Sequence, residues 1–142
     1  MKVMDKIYLD SDVLLDLLLD REPFMDDTSK LMENSIDSNT SLCVSPISIT
    51  NINYIVGRLE NQEKADFKTK RLLRLVKIEN VGQQVIDEAS RSKFKNFEDA
   101  VQNYCAELSG HKILITRNTK DYKNSNLSIM TPKEYLARMG TE

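Results

Sequence analysis

Lys6-Ile7-Tyr8-Leu9-Asp10-Ser11-Asp12-Val13-Leu14-Leu15-Asp16 decides how this chain folds, because a short apolar run stops there at an acid. Ile7, Tyr8 and Leu9 suit a strand buried on both faces, as in a parallel sheet. Ser11 and Asp12 are both good N-cap residues, and Val13, Leu14, Leu17 and Leu18 recur at helical spacing up to Arg21-Glu22-Pro23. A strand that turns directly into a helix places Asp10 at the strand's carboxyl end, where open α/β sheets keep their ligand crevice. An unpaired carboxylate ending an interior strand is costly, so Asp10 wants a cation. Asp12 can be a helix cap. Asp16 and Asp20, at successive i+4 positions from it, read as the helix's wet face.

Working outward, a second helix is expected from about Asp27 to Asp37 with Leu31, Met32 and Ile36 inward. Leu42-Cys43-Val44 then reads as a buried strand stopped by Ser45-Pro46. A helix follows, with Ile49, Ile52, Tyr54, Ile55, Val56 and Leu59 on its apolar face. From Asn61 to Leu75 runs a basic amphipathic helix whose apolar side is Phe67, Leu72, Leu73 and Leu75. Val76 to Val81 fits a third strand or a loop, and a helix after Gly82 carries Val85, Ile86 and Ala89. Asn96 can cap the next helix, with Glu98 and Asp99 in its first turn and Val101, Tyr104, Cys105 and Leu108 as its stripe. Lys112 to Thr116 is a strand running into the polar segment Arg117-Asn118-Thr119-Lys120-Asp121-Tyr122. Ser128 to Met130 is a last strand before the Thr131-Pro132-Lys133-Glu134 helix start. Alternating strands and helices predict a parallel sheet with helices on both faces. Asp10, Ser45 to Asn51 and Arg117 to Asp121 then emerge on one sheet edge.

The 142 residues fit one domain, spanning 1–142, with a real hydrophobic core. No apolar run approaches a membrane span, and the start Met1 to Lys6 lacks the apolar segment of a signal peptide, so a cytoplasmic location without membrane contact is expected. Cys43 and Cys105 fit buried reduced thiols. His111 has no nearby Cys or His in sequence and reads as structural. The net charge of −2 conceals an asymmetry: residues 1–40 hold ten acids and four bases, the remaining 102 hold twelve acids and sixteen bases. Lys64, Lys68, Lys70, Arg71, Arg74 and Lys77 cluster with Asp66 as the only acid among them. Such basic helix faces are mostly solvation, and become a phosphate track only where something else points to nucleic acid.

Carboxylates gathered at one sheet edge without histidines or cysteines suit hard divalent cations. Acids around Mg2+ or Mn2+ can activate water for in-line attack on a phosphodiester. No Gly-rich phosphate loop, G-x-S-x-G or Cys/His nucleophile pair competes with that chemistry.

Leu9-Asp10-Ser11-Asp12-Val13-Leu14-Leu15-Asp16, Phe97-Glu98-Asp99-Ala100 and Ile115-Thr116-Arg117-Asn118-Thr119-Lys120-Asp121-Tyr122 resemble, in order, the three signature segments of PIN domains. The resemblance implies a Rossmann-like three-layer α/β/α fold with a five-stranded parallel sheet. It also implies Mg2+- or Mn2+-dependent nuclease activity, usually on RNA, as in VapC-type toxins of toxin–antitoxin pairs. It would bring an antitoxin protein and a homodimeric partner. Asp10 and Asp99 match the family's metal-binding acids, and Asp12 stands where Asn or Ser is common. Asn51 replaces the family's usual Glu, and Asn118 stands where Asp is frequent. Asn offers a metal an oxygen but no charge, so Asp12, Glu98 and Asp121 are the available substitutes. The expected catalytic acids are Asp10, Asp99 and Asp121, with Asp12 and Glu98 joining them as metal ligands. Ser11, Asn51, Thr116 and Asn118 support them, and Lys64, Lys68, Arg71, Arg74, Arg117 and Lys120 are candidates to bind RNA.

Two alternatives stay open on the sequence. With Asn51 and Asn118 in place of acids, the chain could be an inactive module binding RNA or a protein. Asp10-Ser11-Asp12-Val13 also fits the D-x-D-x-[TV] nucleophile motif of haloacid-dehalogenase-like phosphatases, which need a downstream Lys as well.

Overall fold

The computed structural model describes residues 5–140, so the start at Met1 to Met4, read above as lacking a signal segment, lies outside the described residues. Lys6–Leu9 forms strand β1, and Ser11–Leu18 forms helix α1. Helix α2 (Phe24–Ser38), β2 (Ser41–Val44), α3 (Pro46–Leu59) and α4 (Gln62–Leu72) follow. β3 (Lys77–Ile78), α5 (Gln83–Arg91), α6 (Phe97–Leu108), β4 (Ile113–Ile115), β5 (Ser128–Met130) and α7 (Pro132–Arg138) complete the chain.

The five strands pair in parallel in the order β3-β2-β1-β4-β5. Alternation along β1 explains the layers: Ile7 and Leu9 enter one apolar cluster, and Tyr8 enters the other. The first cluster gathers Leu14, Leu31, Ile52, Leu72 and Tyr135 from α1, α2, α3, α4 and α7. The second gathers Val85, Ala89, Val101 and Cys105 from α5 and α6. This is the expected three-layer α/β/α fold.

β1 lies between β2 and β4, so the order of strands along the chain reverses between β1 and β4. A crevice is expected at the carboxyl ends of such a strand pair. Asp10 N donates to Ile115 O at 2.9 Å, which sets the ends of β1 and β4 side by side.

Several sequence expectations are corrected here. The cap of α1 is Asp10, not Ser11 or Asp12. α1 ends at Leu18, and Asp20 lies beyond it in a left-handed turn with φ of 52°. α2 begins at Phe24, three residues earlier than expected, with Pro23 at its cap position. Ile36 points outward at 69% exposure. α4 ends at Leu72, not Leu75, with Ala65 and Leu72 buried and Phe67 exposed, and Leu73 and Leu75 lie exposed beyond its end. β3 is a two-residue edge strand with both residues exposed. Cys43 and Cys105 are free, buried thiols as expected.

Candidate active site

Asp10 carries the centre of the site. Its Oδ1 accepts from Ser11 N at 2.7 Å, and its Oδ2 accepts from Thr116 Oγ at 2.9 Å and from the Tyr122 hydroxyl at 3.0 Å. Burial pushes its carboxyl above the usual range, while the three hydrogen bonds pull in the other direction. Thr116, which follows β4, is wholly buried, and Tyr122 closes the short 3₁₀ turn Thr119–Tyr122.

Asp12 sits two residues further along. Its Oδ2 accepts from Asn118 Nδ2 at 3.0 Å and from Arg117 N at 3.2 Å. Its Oδ1 is buried with no hydrogen-bond partner. Burial first, and the Asp10 charge second, push its carboxyl up to about 7.

Asp99 reaches the same place from α6, whose first turn is fixed by Asn96 Oδ1 accepting from Asp99 N at 3.0 Å. Its carboxyl is pushed up to about 6 by burial, then by Asp10, Asp121 and Glu98. Glu98 is exposed, and its Oε2 accepts from Asn51 Nδ2 at 2.8 Å, which ties α6 to α3. Asp121 is exposed in the 3₁₀ turn.

Together Asp10, Asp12, Asn51, Glu98, Asp99, Asn118 and Asp121 line one open cavity of about 470 Å³, with Ser11, Leu15, Tyr54 and Ile55. Every acid expected from sequence therefore reaches a single cleft. The donors are all oxygens, neighbouring carboxylates add to burial in pushing Asp10, Asp12 and Asp99 upward, and Asp12 Oδ1 has no partner. That set fits a hard divalent cation. Among the described residues, the three-residue group with ligand atoms mutually within 4.8 Å is Cys43, Glu79 and His111, not a trio of these acids.

The floor beneath is polar and buried. Ser11 Oγ at 2.9 Å and Gln102 Nε2 at 2.7 Å both donate to Ser48 Oγ, and the Tyr8 hydroxyl donates to Gln102 Oε1. This chain joins α1, α3, α6 and β1 under the acids. Gln102 carries no motif, and Ser48 and Tyr122 lie inside segments read from the sequence without being singled out there. For Tyr122, the one available signal was its place in the polar segment after β4.

The basic residues divide differently from expectation. Lys68 Nζ lies on the Leu18 carbonyl at 2.6 Å and on Glu60 at 2.9 Å, at the end of α1 away from the acids. Lys64 and Arg71 on α4 and Arg74 just beyond its end are exposed and line none of the acid cleft. Arg117 turns its side chain away from the cleft, donating through Nε to Asp16 Oδ2 at 2.8 Å and through Nη2 to Asp16 Oδ1 at 3.1 Å. Its guanidinium also stacks 4.2 Å above the Phe24 ring. Asp16, expected on the wet face, is instead 1% exposed. Lys120 does line a groove, a cavity of about 380 Å³ that it shares with Lys95, Lys123, Asn96, Asn124 and the two acids Asp99 and Asp121. Lys95 and Lys123 were missed in the sequence because they lie on separate segments. Among the described residues, no lysine lines the acid cleft itself, so the downstream Lys that the phosphatase alternative needs is not found there.

Comparison with solved structures gives the same fold. A DNA-bound VapBC complex of Salmonella typhimurium aligns with a TM-score of 0.72 at 12% identity, covering 91% of this chain and 99% of the other. A toxin–antitoxin complex of Klebsiella pneumoniae aligns at 0.68 with 22% identity, covering 89% and 97%. VapC20 of Mycobacterium tuberculosis, a sarcin-ricin loop cleaving toxin, aligns at 0.61 with 16% identity, covering 76% and 86%. No curated protein sequence matches the chain. The family model described as PIN domain matches residues 6–120, and the chain belongs to the PIN domain family.

Proposed function

We propose that the chain is a Mg2+- or Mn2+-dependent endoribonuclease, the toxin half of a toxin–antitoxin pair working in the cytoplasm. The observation that carries this reading is the meeting of two surfaces at Asp99 and Asp121, which line both the acid cleft and the lysine groove. Lysines track phosphates and acids hold a metal, so a nucleic-acid strand lying in the groove brings a phosphodiester to the cleft. Asp10, Asp99 and Asp121 would hold the ion, with Asp12 and Glu98 completing the charge. When bound, the ion supplies activation of a water and neutralisation of charge on the phosphate.

The chain's own residues do the positioning. Thr116, Tyr122 and the Ser11 amide aim Asp10, Asn118 and the Arg117 amide aim Asp12, and Asn51 aims Glu98. Lys95, Lys120 and Lys123 hold the strand. The toxin–antitoxin and VapBC complexes among the similar structures support an antitoxin as partner. Exposed Tyr54, Leu59 and Phe67 on α3 and α4 offer apolar surface to such a partner or to a second copy.

The test is cleavage of a single-stranded RNA by the purified chain. Cleavage with Mn2+ is expected, abolished by EDTA and reduced at least 100-fold in Asp10→Asn. RNA binding with no metal-dependent cleavage would leave the non-hydrolytic module as the correct reading.

A further inference from the structure

We propose that Cys43, Glu79 and His111 form a second metal site, distinct from the acid cleft, that takes a borderline divalent ion such as Zn2+. The three ligand atoms lie within 4.8 Å of one another. Around Zn2+, with bonds of about 2.0 to 2.3 Å to N, O and S, tetrahedral ligand atoms are separated by roughly 3.3 to 3.8 Å. Side-chain rotations of about an ångström therefore close this group on one ion. A thiolate, an imidazole and a carboxylate together favour Zn2+ or Co2+ over Mg2+.

The three donors come from three parts of the fold. Cys43 lies in β2, Glu79 directly follows β3, and His111 lies between α6 and β4. Cys43 and His111 are 2% and 4% exposed, and the His111 ring meets the Tyr8 ring edge-on at 5.7 Å between centroids. His111 Nε2 and Glu79 Oε2 are already in contact. A cavity of about 290 Å³ opens beside Cys43 and Glu79, which leaves a fourth position to water. Lys6 Nζ, 3.8 Å from Glu79 Oε2, balances that charge in the metal-free chain. The same ammonium also donates to the Ser109 carbonyl, where it can stay when an ion takes Glu79. Coordination expels the Cys43 Sγ proton to solvent and replaces the S–H bond by a sulfur–metal bond.

An ion here would fasten the edge of the sheet. β3 has only two residues, both exposed, and the proposed ligands link its end to β2 and to the segment entering β4. Binding should raise the melting temperature of the whole domain.

Co2+ tests the site, because a thiolate-to-cobalt charge-transfer band in the near ultraviolet reports sulfur ligation, which the all-oxygen cleft cannot give. The full chain is titrated with Co2+ and with Zn2+. The expected result is one ion per chain with that band, unchanged in Cys105→Ser and in Asp10→Asn. The band should vanish in Cys43→Ser, and Zn2+ affinity should fall at least tenfold in Glu79→Gln, whose half-buried side chain tolerates the change. A folded wild-type chain that shows no band under excess Co2+, or a band that survives Cys43→Ser, overturns the proposal.

Discussion

Arg117→Ala separates two readings of Asp16 more sharply than any other change. The Asp16 side chain is 2% exposed and has two cationic neighbours, Arg117 at 2.8 Å and Arg21 at 3.8 Å. Removing Arg117 strands a buried carboxylate, and breaking a buried pair in that way costs about 3 to 5 kcal/mol. Arg21 remains and can move closer, so the low end, about 3 kcal/mol, is expected. With an unfolding entropy of about 2.1 cal/mol/K per residue over 142 residues, the slope is about 0.30 kcal/mol per degree. The melting temperature should therefore fall by about 10 °C. Asp16→Leu with Arg117→Met should recover most of that loss, because replacing both members of a buried pair by apolar groups is often near neutral.

Urea and thermal denaturation of wild type, the single variant and the double variant complete the measurement. A loss below about 0.5 kcal/mol for Arg117→Ala is what a surface pair gives, and would show that Asp16 is solvated in solution after all. RNA cleavage should drop as well, since the Arg117 amide donates to Asp12 at 3.2 Å and the loop is pinned by its own side chain.

Four further outcomes follow from the site. Tyr122→Phe removes a hydroxyl that donates to Asp10, so the Asp10 carboxyl should titrate higher in the metal-free chain, by carboxyl NMR, with stability lower by about 1 to 2 kcal/mol. Asp12, raised from 3.8 to about 7, holds its proton more tightly folded than unfolded. Its contribution is therefore fully present below about pH 4 and is lost as pH rises toward 7. In EDTA, the wild-type melting temperature should fall relative to Asp12→Asn between pH 4 and 8, and a difference between the two that does not change with pH contradicts this. Lys120→Ala with Lys123→Ala should lower RNA affinity and flatten its salt dependence by about 0.7 for each phosphate no longer neutralised, whereas Arg71→Ala with Arg74→Ala should change little. Asn118→Asp sets a carboxylate where an amide now donates to Asp12, lowering the metal-free melting temperature at pH 8. Adding Asp12→Asn in the same chain should restore it.

Much of the architecture is legible because it is written locally. Apolar triplets such as Ile7-Tyr8-Leu9 and Ile113-Leu114-Ile115 stop at polar residues, and Asn96 and Thr131 cap helices where the sequence suggests. What escapes is set by distant partners. Asp12, Asp16 and Asp20 share one helical stripe on paper, but α1 stops at Leu18, and Arg117 arrives 101 residues later to bury Asp16. Ile36 and Phe67 follow the apolar period of their helices, yet both stay exposed in the single chain. Periodicity reports which residues share a face, not whether another element lies against it. Lys95 and Lys123 belong to one groove only because α6 starts beside the turn that follows β4.

The two asparagines make a consistent pair. Each stands where the PIN resemblance leads one to expect an acid, and each spends its side-chain amide on an acid from elsewhere: Asn51 on Glu98, Asn118 on Asp12. An amide in place of a carboxylate removes a charge from one segment and supplies a donor that fixes a charge from another. The cleft thus keeps five carboxylates, with two of them anchored by the groups that replaced the expected ones. Charge removed without such anchoring would leave Asp12, already at about 7, with fewer partners and a stronger tendency to hold its proton. The substitutions therefore read as a redistribution of negative charge around the same cleft, not as the removal of it.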